Sequence, residues 1–327
     1  MAESPKGLTA SPGENDALSD VLRSIRLTGA LQFSFTARGP WQTPAEPPMA
    51  VGGNLVPFHI IAEGDCWLKT KEREATLGAG DIIAFPFDAD HQLGVGRMGP
   101  VVDPVVDLPP KPWRELPVLR YGTDGPAVRI LCGFLQCDRL NFRPMRSAMP
   151  PLVHVRTSAT EQATWFGATI AQMVEVADRP RTGGLAVLER LTEIIFIELL
   201  RHQIVAAVGV SGWLAALADP ALGRCLALIH EDPACDWAVQ DLAAGAGLSR
   251  STLAERFETV LGTSPIRYLR EWRLCLASVA LSTTAKPIAH VAHEAGYSTE
   301  AAFTRAFSRA YGTPPAAWRQ AARQAQA

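Results

Sequence analysis

The sequence predicts an α+β chain: an N-terminal antiparallel β-barrel of jelly-roll type carrying a helical hairpin, then an all-α domain. Three observations predict it. The N-terminal half breaks into short β-prone runs separated by Gly and Pro turns. Two apolar helical stretches follow it. The last third then repeats one helix-turn-helix pattern twice. The length of 327 residues fits two domains, with 47% hydrophobic residues to fill their cores.

Taken in order, residues 1–14 read as a disordered lead, since acid, Pro and Gly stand where a signal peptide needs an apolar run. Residues 15–205 form the first domain. Leu31–Ala37 is a short strand, punctuated by Arg38-Gly39-Pro40-Trp41. Pro57–Ala62 leads through the turn Glu63-Gly64-Asp65 into Cys66–Lys69. A turn at Gly78–Asp81 precedes Ile82–Phe85, and Val128–Phe134 is a further strand. Alternation places Val128, Ile130 and Cys132 on one face, and His59 beside Ile61 on another. Ser158-Ala159-Thr160-Glu161 reads as a capping box opening a helix through Trp165, Phe166, Ile170 and Met173. Arg179–Gly184 breaks it. The next helix, Leu185–His202, is apolar nearly all round and must be covered on more than one side. A homodimer built on this hairpin is therefore expected, and a linker near Ala206–Ser211 follows.

Residues 213–322 carry the tandem motif. The first copy is Trp237–Phe257 and the second Pro287–Phe307. Each has an apolar helix, then Ala-Gly-apolar (Ala246-Gly247-Leu248; Ala295-Gly296-Tyr297), then Ser (Ser249; Ser298). A second helix follows with a core Leu or aromatic (Leu253; Phe303) and a closing Phe (Phe257; Phe307). The Gly suits a left-handed turn and the Ser an N-cap. The second copy carries one extra residue between its Gly and these core positions. A helix opened by Ser264-Pro265 joins the copies, with Ile266, Leu269, Leu276 and Val279 near helical spacing and Tyr268, Trp272 and Cys275 widening the stripe. Such a spacer suits two recognition helices about 34 Å apart, one turn of duplex.

The second helix of each motif is the one that enters a major groove. Its polar residues are the candidates for reading double-stranded promoter DNA: Arg250, Ser251, Thr252, Glu255 and Arg256, then Thr299, Glu300, Thr304 and Arg305. Arg pairs bidentately with guanine, while Ser, Thr and Ala meet base edges or the thymine methyl. Arg256, next to the core Phe257, also reads as a packing or phosphate contact. Charge adds little. Residues 213–327 carry 11 Lys+Arg and 10 Asp+Glu, and the whole chain a net charge of −2.

This block resembles the DNA-binding domain of the AraC/XylS family of bacterial transcription regulators. The matching residues include Leu253, Phe257, Gly262–Pro265, Tyr268, Ile288, Gly296-Tyr297, Phe303, Arg305, Phe307 and Gly312-Thr313-Pro314. The resemblance implies that Ser251, Ala254 and Glu255, then Glu300, Ala301, Thr304 and Arg305, face the groove. It makes activation the default and RNA polymerase a further partner.

The stretch Gly80–His91 is similar to the second sequence motif of cupins, and FHIIAEGDCWLK to the strand-turn-strand of the first. The usual His-x-His pair is absent, and Pro57 falls near the carboxylate position. A dioxygenase-type triad is therefore not supported, which weakens the alternative of a cupin-type metalloenzyme with a helical appendage. His59, His91 and Cys132 form a reduced donor set for zinc or another soft metal. The same residues also read as hydrogen-bonded core groups, or as a redox sensor with Cys132 reactive and Cys137 or Cys66 resolving. Six Cys without a compact framework suit a reducing, cytoplasmic setting. No apolar run reaches membrane length uninterrupted. The expectation is a transcription regulator answering a small-molecule, metal or redox signal.

Overall fold

A computed structural model describes Ser19 and residues 27–44, 55–87, 90–137, 142–160, 162–206 and 211–324. The lead and most of the expected linker lie outside the described residues. The chain divides into two compact units at Ala206/Ala207.

Among the described residues, the first unit is built on ten strands: β1 (Leu27–Arg38), β2 (Trp41–Gln42), β3 (Leu55–Glu63), β4 (Cys66–Thr70), β5 (Glu74–Leu77), β6 (Asp81–Ala84), β7 (His91–Val95), β8 (Val118–Tyr121), β9 (Ala127–Cys137) and β10 (Val153–Arg156). The expected closed antiparallel barrel is corrected here. The strands form two separate sheets, ordered β10-β6-β3-β9-β1-β8 and β2-β7-β4-β5, and β1 pairs β8 in parallel. Strands as short as β2 and β5 cannot carry the ladder round to close it. The sheets share one core instead, with Phe35, Ile61, Ile83 and Ile130 meeting Leu68 and Leu93. The expected alternation holds, because Ile61, Val128, Ile130 and Cys132 all belong to this core.

Pro57 sits inside β3 opposite Phe134, and its carbonyl accepts from the Phe85 amide at 2.9 Å. Its missing N–H is thus no obstacle on the bonded side.

Helix α1 (Arg143–Ala148) is followed by the hairpin of α2 (Ala163–Asp178) and α3 (Gly184–Ala206). The proposed capping box does not open α2. Thr157–Ala159 make a 3₁₀ turn, and α2 begins after Gln162, which makes no side-chain cap. Glu161 lies outside the described residues. Helix α3 packs on β1, where Gly29 is required: a Cβ there would stand 2.6 Å from the Thr192 side chain. The buried face of α3 is Leu188, Thr192, Ile195, Phe196, Leu199 and Leu200. Val187 and Ile194 remain exposed at 44% each. From β9, buried Arg129 reaches the hairpin, with Nη1 and Nη2 donating to Asp178 at 2.6 and 2.8 Å.

The second unit contains α4 (Trp213–Ala218), α5 (Pro220–Glu231), α6 (Val239–Gly245), α7 (Arg250–Leu261), α8 (Pro265–Thr283), α9 (Ile288–Glu294), α10 (Glu300–Tyr311) and α11 (Pro315–Gln324). The two helix-turn-helix motifs are α6–α7 and α9–α10. Of the stripe expected for the joining helix α8, Tyr268, Leu269, Trp272 and Cys275 are buried, whereas Ile266, Leu276 and Val279 are only partly covered. Its covered residues lie on two sides. Tyr268 and Trp272 serve the first motif, where Tyr268 stacks edge-on against Phe257. Leu274, Ala277 and Leu281 join Val291, Ala292, Phe303 and Phe307 of the second. Trp318 of α11 closes the bundle by donating Nε1–H to Ser278 and Ser282 of α8.

Candidate DNA-reading helices and a buried thiol–imidazole cluster

Helix α7 starts at Ser249, whose Oγ accepts from the Thr252 amide at 3.2 Å. Gly247 turns the chain at φ +70°. Helix α10 starts one residue later than expected. Its N-cap is Thr299, accepting from Ala302 at 3.2 Å, and not Ser298. The extra residue of the second copy thus falls before the cap, so Phe303 and Phe307 take the places of Leu253 and Phe257. Gly296 has φ +78°, and a Cβ on it would come within 2.5 Å of Arg273 Nη1.

Each helix buries two residues, Leu253 and Phe257 or Phe303 and Phe307, and turns the rest outward. Arg250, Ser251, Thr252, Ala254 and Glu255 are exposed on α7, and Glu300, Ala301 and Arg305 on α10, with Thr304 half-buried. Among the described residues, Arg250 and Arg305 meet no carboxylate. Arg256 differs. It pairs with Asp219, which also caps α5 by accepting from Ala221 and Leu222. Its guanidinium is engaged in packing α7 to α5. Other arginines near the motifs are similarly occupied. Arg273 donates to the Pro233 and Cys235 carbonyls, Arg319 to Lys286, and Arg267 pairs with Glu271. Among the described residues from α6 to α10, Arg250, Arg270, Arg305 and Arg309 are the exposed arginines left over.

In the first unit the β3–β9 register sets His59 directly opposite Cys132. His59 Nδ1 lies 3.2 Å from Cys132 Sγ, and its Nε2 lies 2.8 Å from His91 Nε2. The His91 ring stacks on Phe85 at 3.9 Å between centroids. The three residues named from the sequence are therefore one hydrogen-bonded chain, with His59 in the middle using a different nitrogen for each partner. Among the described residues, no three His, Cys, Asp or Glu side chains converge on a point suited to a metal ion. Burial, then the neighbouring His91, holds His59 well below its ordinary pKa, so the imidazole is neutral. Burial pushes the Cys132 thiol up, so it stays protonated. Cys66 belongs to the same core and is raised to about 12 by burial and then by Asp65 and Asp81. The Cys137 side chain lies outside the described residues.

Phe85 also lines a cavity of about 240 Å³ bounded by the Thr70–Arg73 turn, Asp90, Pro151 and Leu152. Near it stands a pair that spacing did not reveal: His154 Nε2 and Asp81 Oδ2, 3.1 Å apart, both nearly buried. Strand β10 brings them together by pairing with β6 in a register that sets Arg156 opposite Asp81.

Comparison with known proteins agrees with both halves. The cupin family matches residues 16–205 and a helix-turn-helix domain family matches residues 242–321. A putative AraC-like transcription regulator of Streptomyces lividans is 33% identical, the match covering 93% of this chain and 98% of that one. The transcriptional regulator AlkR of Acinetobacter baylyi is 33% identical, covering 93% and 99%. A solved AraC-type regulator structure from Chromobacterium violaceum is 27% identical over 33% of this chain and 96% of its own, with a TM-score of 0.32. Among the described residues, no helix is long and apolar enough to cross a membrane. With a cupin domain preceding a tandem helix-turn-helix domain, and relatives matched along almost their whole length, the chain belongs to the AraC family of DNA-binding transcription regulators.

Proposed function

We propose that the protein reads a specific promoter sequence with α7 and α10 and is switched by a chemical signal received in the two-sheet unit. One observation carries the reading of DNA: both helices bury only a two-residue core and hold exposed arginines on the outer face, Arg250 and Arg305, that meet no partner among the described residues. Such arginines serve base edges in a major groove. The near-balanced charge of residues 213–327 makes non-specific attraction to phosphates weak, so affinity depends on base contacts and on pairing of two chains.

The stripe of α3 formed by exposed Val187 and Ile194 and half-buried Leu191 supports a homodimer. It is apolar and flanked by the ion pairs Arg190–Glu193 and Arg201–Glu198. A signal in the first unit acts as a coupling free energy on the second, through its effect on how two chains pair.

Selection of binding sites from random duplex DNA by the full-length protein tests this. The expected product is a site with two conserved elements one helical turn apart. Recovery of sequences without any shared element overturns it.

A further inference from the structure

We propose that Cys132 Sγ and His59 Nδ1 are the two ligands of a soft monovalent metal ion of the copper(I) class, and that His91 positions His59 for it. This deepens the proposed function by naming the signal, and it rests on the reading of the first unit as the switch.

Three observations carry it. First, the two donors already face each other at 3.2 Å across the β3–β9 pair. With zinc-like bonds of about 2.0 Å to nitrogen and 2.3 Å to sulfur as a yardstick, an ion held in line by these two ligands needs them about 4.3 Å apart, so they must part by roughly one ångström. Second, His59 Nε2 is 2.8 Å from His91 Nε2. A ligating histidine characteristically gives its other N–H to an acceptor that fixes its tautomer and ring plane. His91, itself stacked on Phe85, is placed to be that acceptor. Its role is positioning, since its nitrogen points at the remote side of the His59 ring.

Third, charge selects the ion. The donors sit beside an apolar core in which Cys132 is 7% exposed. No carboxylate joins them, since no third His, Cys, Asp or Glu among the described residues converges there. One thiolate and one neutral imidazole around a divalent ion leave a net positive charge against that core, which is costly. Around a monovalent ion the assembly is neutral. A thiolate also favours a soft ion, and two ligands are too few for the four that structural zinc takes. Binding is a simple exchange: the ion forms a bond to sulfur and the Cys132 thiol releases its proton to solvent. No oxidant or reductant enters, and the metal does not change valence.

The test uses the reduced full-length protein with Cys235→Ser, which removes a partly exposed thiol. Copper(I) is titrated without oxygen against a chromophoric copper(I) chelator, and native mass spectrometry counts ions per chain. The expected result is one copper(I) per chain with an ultraviolet thiolate-to-metal band, undisturbed by excess zinc. Cys132→Ser loses the ion and the band. His91→Ala keeps the stoichiometry and weakens binding about 10- to 100-fold. No uptake by the parent protein, equal uptake by Cys132→Ser, or displacement by zinc overturns the assignment. Should Cys132→Ser fail to fold, His91→Ala decides, and unchanged affinity there overturns it. Mobility shifts with the metal-free protein test DNA binding separately, so either reading can fail alone.

Discussion

Replacing Arg305 by Ala isolates base reading from folding. The side chain is exposed on the outer face of α10, beside Ala301 and Thr304 and opposite the buried Phe303 and Phe307. Among the described residues it meets no acceptor, so its removal leaves no buried group unsatisfied. The change in folding stability should stay within about 0.5 kcal/mol. A bidentate Arg–guanine pair is worth about 1–3 kcal/mol, which converts to roughly a 5- to 150-fold rise in Kd. The assay is fluorescence anisotropy at fixed salt with the selected site and its single-base variants. Arg305→Ala should weaken binding to the native site and flatten the preference at one base pair. Arg305→Lys should restore part of the affinity without the preference, because an ammonium lacks the guanidinium fork. Unchanged affinity and unchanged preference would refute a groove role. A uniform loss across all base variants, with a salt slope shallower by about one, would assign Arg305 to a phosphate instead.

Three further outcomes are expected. Ile194→Asp on the exposed stripe of α3 should turn a dimer into a monomer in sedimentation without lowering the melting temperature; an unchanged dimer places the interface elsewhere. Thr299→Ala removes the cap of α10 and should cost about 1 kcal/mol in denaturant unfolding, whereas Ser298→Ala should cost almost nothing. Asp178→Asn leaves buried Arg129 without its anion. The loss in urea unfolding of the first unit should be about 1–2 kcal/mol, below the ~3–5 typical of fully buried pairs because Asp178 is 38% exposed. The Arg129 hydrogen bond holds the Asp178 carboxyl below its ordinary pKa. The native state thus binds this proton less readily than the unfolded chain. The contribution is complete above the unfolded carboxylate pKa of about 3.9, and is lost as pH falls through the lower folded value. A wild-type minus Asp178→Asn difference that survives to low pH contradicts this.

What the sequence discloses here is what short-range periodicity encodes. The helix-turn-helix copies were legible because their glycines, caps and core aromatics lie within about twenty residues of one another. Even there, the shift of the cap from Ser298 to Thr299 shows only in the hydrogen bond to Ala302. The faces of β3 and β9 were legible from alternation, so His59 and Cys132 could be named. Their contact depends on a register between residues 73 positions apart, which alternation does not fix. Strands β2, β7, β8 and β10 have at most five residues and draw their partners from elsewhere in the chain, so no local pattern announces them. Sheet closure is likewise a sum of remote pairings. Arg256 read both as DNA-facing and as a packing contact beside Phe257, and the partner that engages it, Asp219, lies 37 residues earlier, where no local pattern points to it.

Helix α8 contributes side chains to the hydrophobic interiors of both motifs, through Tyr268 and Trp272 on one side and Leu274, Ala277 and Leu281 on the other. The two reading heads therefore cannot be re-spaced without unpacking one of them, and the domain behaves as a gauge of fixed length. Promoters feel this as phase. One base pair inserted between the two elements rotates the second by about 35° and moves it about 3.4 Å along the duplex. A rigid gauge follows neither change. On the proposed reading, point changes within an element should weaken a site by degrees, whereas a single-base insertion between elements should abolish binding.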